Sequence, residues 1–166
     1  MKKICIISDT HSFFDNNMKK YFIQSDEVWH AGDIGSIEVT NEIKKHSKLK
    51  AVYGNIDDHK IRNEFTEYLF FNCENCKILI THISGQLNKY NFKTINLLNK
   101  YRPNIFICGH SHILKIMYNK KFNFLHINPG AIGKHGIHKV RTMVTLKIEN
   151  EKIFDLNIIE IKRKTI

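Results

Sequence analysis

The turn Gly109-His110-Ser111-His112 follows a short apolar run, Ile105-Phe106-Ile107-Cys108. The run reads as a buried strand and the glycine as the turn that ends it. In an extended backbone, residues at i and i+2 face one side, so both imidazoles can reach one site. Imidazole nitrogen is a common ligand for divalent transition metals. Other strand ends carry similar groups. Asp9-Thr10-His11 closes the apolar run at residues 3–8, and Ala31-Gly32-Asp33 follows the run Glu27–His30. Gly54-Asn55-Ile56-Asp57 follows residues 49–53, and His82 follows residues 77–81. The pooled set is Asp9, His11, Asp33, Asn55, His82, His110 and His112: two carboxylates, one amide and four imidazoles. Each has an ordinary alternative. Asp9 or Ser12 is a cap candidate for the next helix, and histidines in turns are common in a chain with 10 of them.

The elements that must position these groups alternate. Strands at 3–8, 27–30 and 49–53 are separated by helices expected over 16–24 and from the N-cap Ser36 to about His46. Strand ends facing one rim of an α/β sheet are where such folds place chemistry. Residues 67–72 and 77–81 predict a hairpin. A helix ending near Tyr101 follows, with Phe92, Ile95, Leu97 and Leu98 at helical spacing. Later strands are expected at 113–118, 122–127, 142–148 and 153–161, with a turn at Asn128-Pro129-Gly130. The fold class is therefore α/β: a two-sheet mixed β-sandwich flanked by helices, expected as one domain over residues 1–166.

Composition narrows the class. The chain has 42% apolar and 25% charged residues, ordinary for a globular protein and too apolar for a disordered one. Lys+Arg outnumber Asp+Glu by 26 to 16, a formal charge of +10, which favours phosphorylated or polyanionic ligands. The lysines are scattered, and Lys162-Arg163-Lys164 forms only a short basic end. No stretch approaches membrane-spanning length, and a cytoplasmic location is expected. Cys5 and Cys108 lie in apolar runs and read as core thiols. Cys73 and Cys76 form a lone C-x-x-C without the second pair a zinc ribbon needs, so they read as structural.

The ordered series Asp-x-His, Gly-Asp, Gly-Asn, His, Gly-His-x-His resembles the calcineurin-like metallophosphoesterase family. The closest likeness is to its small single-domain phosphodiesterase branch, which carries Gly-Asn-x-Asp and Asn-Pro-Gly. The resemblance covers residues 3–130. It implies that Asp9, His11 and His112 bind a first metal, that Asn55, His82 and His110 bind a second, and that Asp33 bridges both. Asp33, Asn55 and His82 would be the catalytic core, with Asn55 also donating to a substrate phosphate oxygen. Chemistry agrees: two cations about 3.5–4 Å apart need a shared anionic ligand. Mixed N/O ligation suits Mn²⁺ first, with Ni²⁺, Co²⁺, Fe or Zn²⁺ as alternatives, over Mg²⁺ or Ca²⁺. The implied reaction is in-line attack on phosphorus by a metal-bridging hydroxide.

Three positions depart from the family pattern. Larger members have histidine after the motif asparagine, as proton donor to the leaving group; this chain has Ile56. Small-branch members often show His-Gly-His where this chain has His82-Ile83-Ser84, and Asn-Pro-Gly-Ser where it has Asn128-Pro129-Gly130-Ala131. Asp57 fits the small-branch pattern, with its role open. His30 is either a support for Asp33 or an ordinary partly buried histidine. His59, His126, His135 and His138 read as surface or turn residues.

The leading expectation is a phosphodiesterase acting on a small phosphorylated substrate, with a homo-oligomer left open. The alternatives are a nuclease, prompted by the charge, and a non-catalytic interaction scaffold. A retromer subunit resembling this family keeps the fold but has lost part of the ligand set; all seven ligand candidates are present here.

Overall fold

Apolar alternation builds the centre of the molecule. In the first strand Ile4 and Ile6 face one way and Cys5 and Ile7 the other, all of them buried. A strand buried on both faces must lie between two layers. The computed structural model describes residues 1–86 and 89–163, so Lys164 of the basic end lies outside the described residues.

In chain order the elements are β1 (Lys2–Ile7), α1 (Asn16–Ile23), β2 (Glu27–His30), α2 (Ile37–Lys44), β3 (Lys48–Ala51) and α3 (His59–Glu64). There follow β4 (Tyr68–Cys73), β5 (Cys76–Thr81), β6 (Gly85–Gln86), β7 (Lys89–Tyr90), α4 (Phe92–Tyr101) and β8 (Ile105–Ile107). The last four are β9 (Leu114–Asn119), β10 (Phe124–Pro129), β11 (Val140–Glu149) and β12 (Lys152–Lys162).

Two five-stranded mixed sheets form, ordered β12-β11-β1-β2-β3 and β4-β5-β8-β10-β9. Ile4, Ile6, Trp29, Ile78, Ile80, Ile107 and Val144 fill the space between them. Trp29 of one sheet meets Phe71 of the other edge to face, ring centroids 5.2 Å apart. Met18 and Phe22 of α1 and Val39 and Ile43 of α2 cover the outer face of the first sheet. Leu97 and Leu98 of α4 cover the second. The expected sandwich flanked by helices is the observed fold.

Local details differ in instructive ways. The α1 cap is Asp15, whose carboxylate accepts from Met18 N at 3.1 Å; Asp9 and Ser12 are engaged elsewhere. Ser36 is the N-cap of α2 but makes no side-chain cap bond. Phe92 is 78% exposed despite its helical spacing, because it sits in the first turn of α4, ahead of the buried Thr94, Leu97 and Leu98. Asn128 and Pro129 end β10 instead of forming a free turn. The helix α3 and the short β6–β7 pair were not expected from the sequence. Cys73 and Cys76 flank the hairpin turn as buried free thiols. Among the described residues no helix is long and apolar enough to cross a membrane.

Candidate metal centre

The carboxyl ends of β1, β2, β5 and β8 and the segment after β3 converge on one rim. β1, β2 and β3 are mutually parallel, as are β5 and β8, so their outgoing loops lie at the same end. The loops are also tied together. His11 N donates to Asp33 O at 3.0 Å, and Gly109 N donates to His82 O at 3.0 Å.

Two groups of ligand-bearing side chains result, Asp9 with His11 and His112, and Asp33 with His82 and His110. Asp33 faces both. Its Oδ1 lies 3.2 Å from His82 Nε2 and its Oδ2 lies 3.7 Å from His11 Nε2. Asn55 Oδ1 stands 3.1 Å from His82 Nε2. All seven side chains singled out in the sequence therefore meet. One inference about local geometry fails. His110 and His112 are not in extended backbone but have φ of 69° and 58°. The left-handed turns send them to opposite groups, not to one face.

Asp9, His11 and Asp33 also have positive φ, at 57°, 47° and 54°. Asp and His tolerate this region better than most residues, yet each such residue costs on the order of 1–3 kcal/mol. Strain concentrated at convergent polar groups points to function. Glycine permits the close approach. A Cβ at Gly54 would fall 2.1 Å from Asp33 Oδ1, and one at Gly32, itself at φ +94°, would fall 2.7 Å from His82 Nδ1.

The donor set fits divalent cations. Asp9 Oδ1 is buried with no hydrogen-bond partner among the described residues, although His112 Nε2 lies 3.1 Å away. Its other oxygen accepts from His110 N at 3.2 Å. An orphaned buried carboxylate oxygen is costly unless a cation meets it. His82 makes the same point. Its Nδ1 donates to Ala31 O at 2.7 Å, since a carbonyl can only accept. In the neutral ring Nε2 then carries a lone pair aimed at the oxygens of Asn55 and Asp33. Three acceptors within hydrogen-bond distance repel one another unless positive charge stands between them.

The electrostatics agree. Burial opposes ionisation of Asp9, but His11 and His112 outweigh it and hold the carboxyl well below its usual range. Burial likewise opposes ionisation of Asp33, and His82 overcomes it. The Asp9 carboxylate raises the His11 pKa. His82 is raised by Asp33 against a burial penalty. Such a site attracts positive charge. Burial lowers the His110 pKa, which favours the neutral ring that can ligate.

Asp57, whose role the sequence left open, ties two ligand loops together. Its Oδ1 accepts from Gly35 N at 2.7 Å, and its Oδ2 accepts from Gly54 N at 2.7 Å and Ile34 N at 3.2 Å. These donors flank Asp33 and Asn55. Arg62 of α3 completes the strap, its Nε donating to Asp57 O at 2.7 Å. Asn128 does the same for the histidine turn, with Nδ2 donating to Gly109 O at 2.9 Å and Ser111 Oγ at 3.0 Å. The motif spacing is the only sequence signal for either.

His30 is fully buried. It contacts Thr10 Oγ1 through Nε2 at 2.9 Å and accepts from Gly32 N through Nδ1 at 3.1 Å. It therefore braces the turn before Asp33 without touching the carboxylate. His126 corrects the surface reading. It is 4% exposed, because β10 is an inner strand and the ring packs among Tyr90, Phe106 and Cys108. His59, His135 and His138 are exposed.

A model of the calcineurin-like phosphoesterase superfamily domain matches residues 1–151, so the chain belongs to that superfamily. Wild-type Vps29 complexed with Zn²⁺, from Entamoeba histolytica, superposes with a TM-score of 0.74 at 14% identity, over 98% of this chain and 99% of that one. An archaeal phosphodiesterase gives a TM-score of 0.72 at 21% identity, over 96% and 99%. A predicted phosphoesterase from Streptococcus pneumoniae gives 0.68 at 18%, over 96% and 97%. At these identities the likeness is one of fold. No curated protein matches the chain in sequence.

Proposed function

We propose that the chain acts as one catalytic domain and is a binuclear metal-dependent phosphoesterase, a phosphodiesterase first of all. The observation that supports it most is the Asp33 carboxylate, which presents one oxygen toward His82 and the other toward His11. Asp9, His11 and His112 would hold one ion, and Asn55, His82 and His110 the other, with Asp33 shared. Mixed nitrogen and oxygen donors favour a transition metal, Mn²⁺ first. When bound, such ions supply a water acidic enough to attack phosphorus and neutralise charge on the phosphoryl oxygens.

The chain's own residues fix that chemistry in place. His82, oriented by Ala31 O, presents Nε2 inward. Asn55 would hold the ion through its carbonyl oxygen, leaving its amide N–H groups for a phosphate oxygen. Cys108 is poorly suited to serve as a nucleophile, since it is buried and its thiol is pushed up to about 11 by burial. A metal-activated water is the better attacking group.

The second reading, an interaction scaffold without catalysis, is prompted by the likeness to Vps29 structures. The complete ligand set favours an enzyme. Elemental analysis after Mn²⁺ loading, with a panel of phosphodiesters and monoesters, separates them. Two ions per chain and diester turnover are expected; one ion or none with no turnover overturns the proposal.

A further inference from the structure

The formal charge of +10 is not spread evenly around the metal centre. Two of the larger cavities lie near the rim. One, of about 350 Å³, lies beside Asn55 and His82. Its cations are already engaged. Lys93 pairs with Glu67 at 2.5 Å, and Arg62 is turned inward onto the carbonyls of Asp57, Gly54 and Asn55. The other, of about 370 Å³, is bounded by Phe13, Asp15, Lys134, Arg141, Lys162 and Arg163, together with Asn17. It holds four cations against one carboxylate.

That carboxylate is neutralised within the wall, since Asp15 Oδ2 accepts from Arg141 Nη2 at 2.8 Å. Arg141 is itself 5% exposed. Arg163 is likewise turned onto backbone carbonyls, with Nη1 donating to Gly133 O at 2.7 Å, Nε to His138 O at 2.8 Å and Nη2 to Ala131 O at 3.4 Å, so both guanidinium groups contribute charge to the wall and not open donors. Burial and then the nearby charge of Arg141 lower the Arg163 pKa, so positive charge is crowded here. Lys134 lies over the Phe13 ring at 5.1 Å. Neither Lys134 nor Lys162 has a carboxylate partner among the described residues. Two ammonium groups without a carboxylate partner, in the field of two engaged guanidinium groups and beside an aromatic ring, suit a phosphate.

The cavity is built on segments that pack against the Asp9 side of the metal centre. Phe13 follows His11 by two residues, and its N–H donates to Thr10 O at 2.9 Å. On the other wall, the chain just before Lys134 is hydrogen-bonded to the ligand loop, with Gly133 N donating to Asp9 O at 3.0 Å. The exposed His135 ring lies 6.2 Å from that of His11.

We propose that this cavity is an anion-binding site for a phosphate group carried by the substrate, so that the preferred substrate is a phosphodiester bearing a second phosphate. Its place in the substrate rests on the phosphoesterase reading; the anion site itself does not. The diester's anionic end would lie on the Asp9 side and its uncharged end beside Asn55, where no cation is free among the described residues.

The test uses the Mn²⁺-loaded protein, the variant Lys134→Ala/Lys162→Ala, and Lys120→Ala/Lys121→Ala, which loses the same charge at the distant β9–β10 turn. Calorimetric titration with thymidine 3′,5′-bisphosphate should show affinity falling about tenfold or more in the first variant only. Equal affinities, or an equal fall in both variants, would overturn the site. In parallel, kcat/KM is compared for the 4-nitrophenyl diester of thymidine 5′-phosphate with and without a 3′-phosphate. Wild type should prefer the phosphorylated ester about tenfold, and Lys134→Ala/Lys162→Ala should lose that preference. If the preference is missing in wild type but inorganic phosphate titrates with the same variant dependence, the anion is a free one and its place in the substrate is overturned. If neither ester is hydrolysed while the titration difference persists, the phosphoesterase reading fails and the anion site stands.

Discussion

Asp33 Oδ1 and His82 Nε2 stand 3.2 Å apart although β2 and β5, which carry them in, belong to different sheets. The contact closes the sandwich at the rim where the candidate ligands converge. On the proposed reading, a carboxylate in that position would hold cations through charge, not only through shape.

Asp33→Asn keeps the shape and removes the charge. Hydrolysis is expected to fall by about 10²–10³-fold or more, the scale of losing a preorganised electrostatic group. Bound metal should drop below two ions per chain by elemental analysis, with circular dichroism unchanged. Near wild-type turnover would mean Asp33 is not shared between the ions.

Asp57 accepts three backbone N–H bonds while itself buried. In Asp57→Asn an amide N–H must face one of these donors. Denaturant unfolding should show a loss of about 1–3 kcal/mol. Because the Asp33 and Asn55 loops are no longer locked together, kcat should fall by up to about 10²-fold, and the affinity of the Asn55 side for metal should weaken by calorimetry. Full metal affinity and kcat in a merely destabilised protein would reduce Asp57 to a structural role.

Ile56 donates its backbone N–H to Asp33 at 3.1 Å, and its side chain is 46% exposed at the rim. It has no proton to give a departing alkoxide. A positioned general acid contributes about 10²–10⁴-fold. Wild-type kcat across diesters of graded leaving-group pKa should therefore fall steeply as the leaving group becomes more basic. Ile56→His should flatten that slope by helping the poorest leaving groups most. A shallow wild-type slope would point to another donor, with the exposed His59 the nearest candidate in sequence.

His126 has its pKa lowered to about 4 by burial and then by Lys115. The unfolded chain takes up this proton near the ordinary value of about 6.5, so it binds more protons than the folded one between those limits. Stability from this group is fully present above about pH 6.5 and is lost as pH falls toward 4, at up to about 1.4 kcal/mol per pH unit. His126→Gln leaves an amide oxygen to accept from the Tyr90 hydroxyl, which now bonds Nδ1 at 2.8 Å. The difference between wild type and His126→Gln unfolding free energies, measured from pH 7 to 5, should narrow as pH falls. A constant difference would show that His126 titrates normally.

Much of this protein is local information. The alternation of Ile4, Cys5, Ile6 and Ile7 specifies a strand buried on both faces, and each apolar run is cut by a glycine or a polar pair where the chain must turn. The ligand types are equally local, because each motif spans a few residues at a strand end. The sequence by itself therefore determined the sandwich of sheets, the helices outside it and the seven side chains that meet. Local spacing could not determine which of them meet in which group, although the family resemblance implies the grouping the structure shows, His112 with Asp9 and His11, and His110 with His82. His110 and His112 read as a pair on one face, yet left-handed backbone at both sends them apart. That conformation is imposed by contacts such as Asn128 Nδ2 to Gly109 O, 19 residues apart in sequence. The burial of His126 follows from the inner place of β10 in its sheet, and the three acceptor bonds of Asp57 from loops that approach only once β2 and β3 have paired. Periodicity encodes what an element buries. Convergence of groups 20 to 100 residues apart depends on strand order and register, and only the tertiary structure decides those.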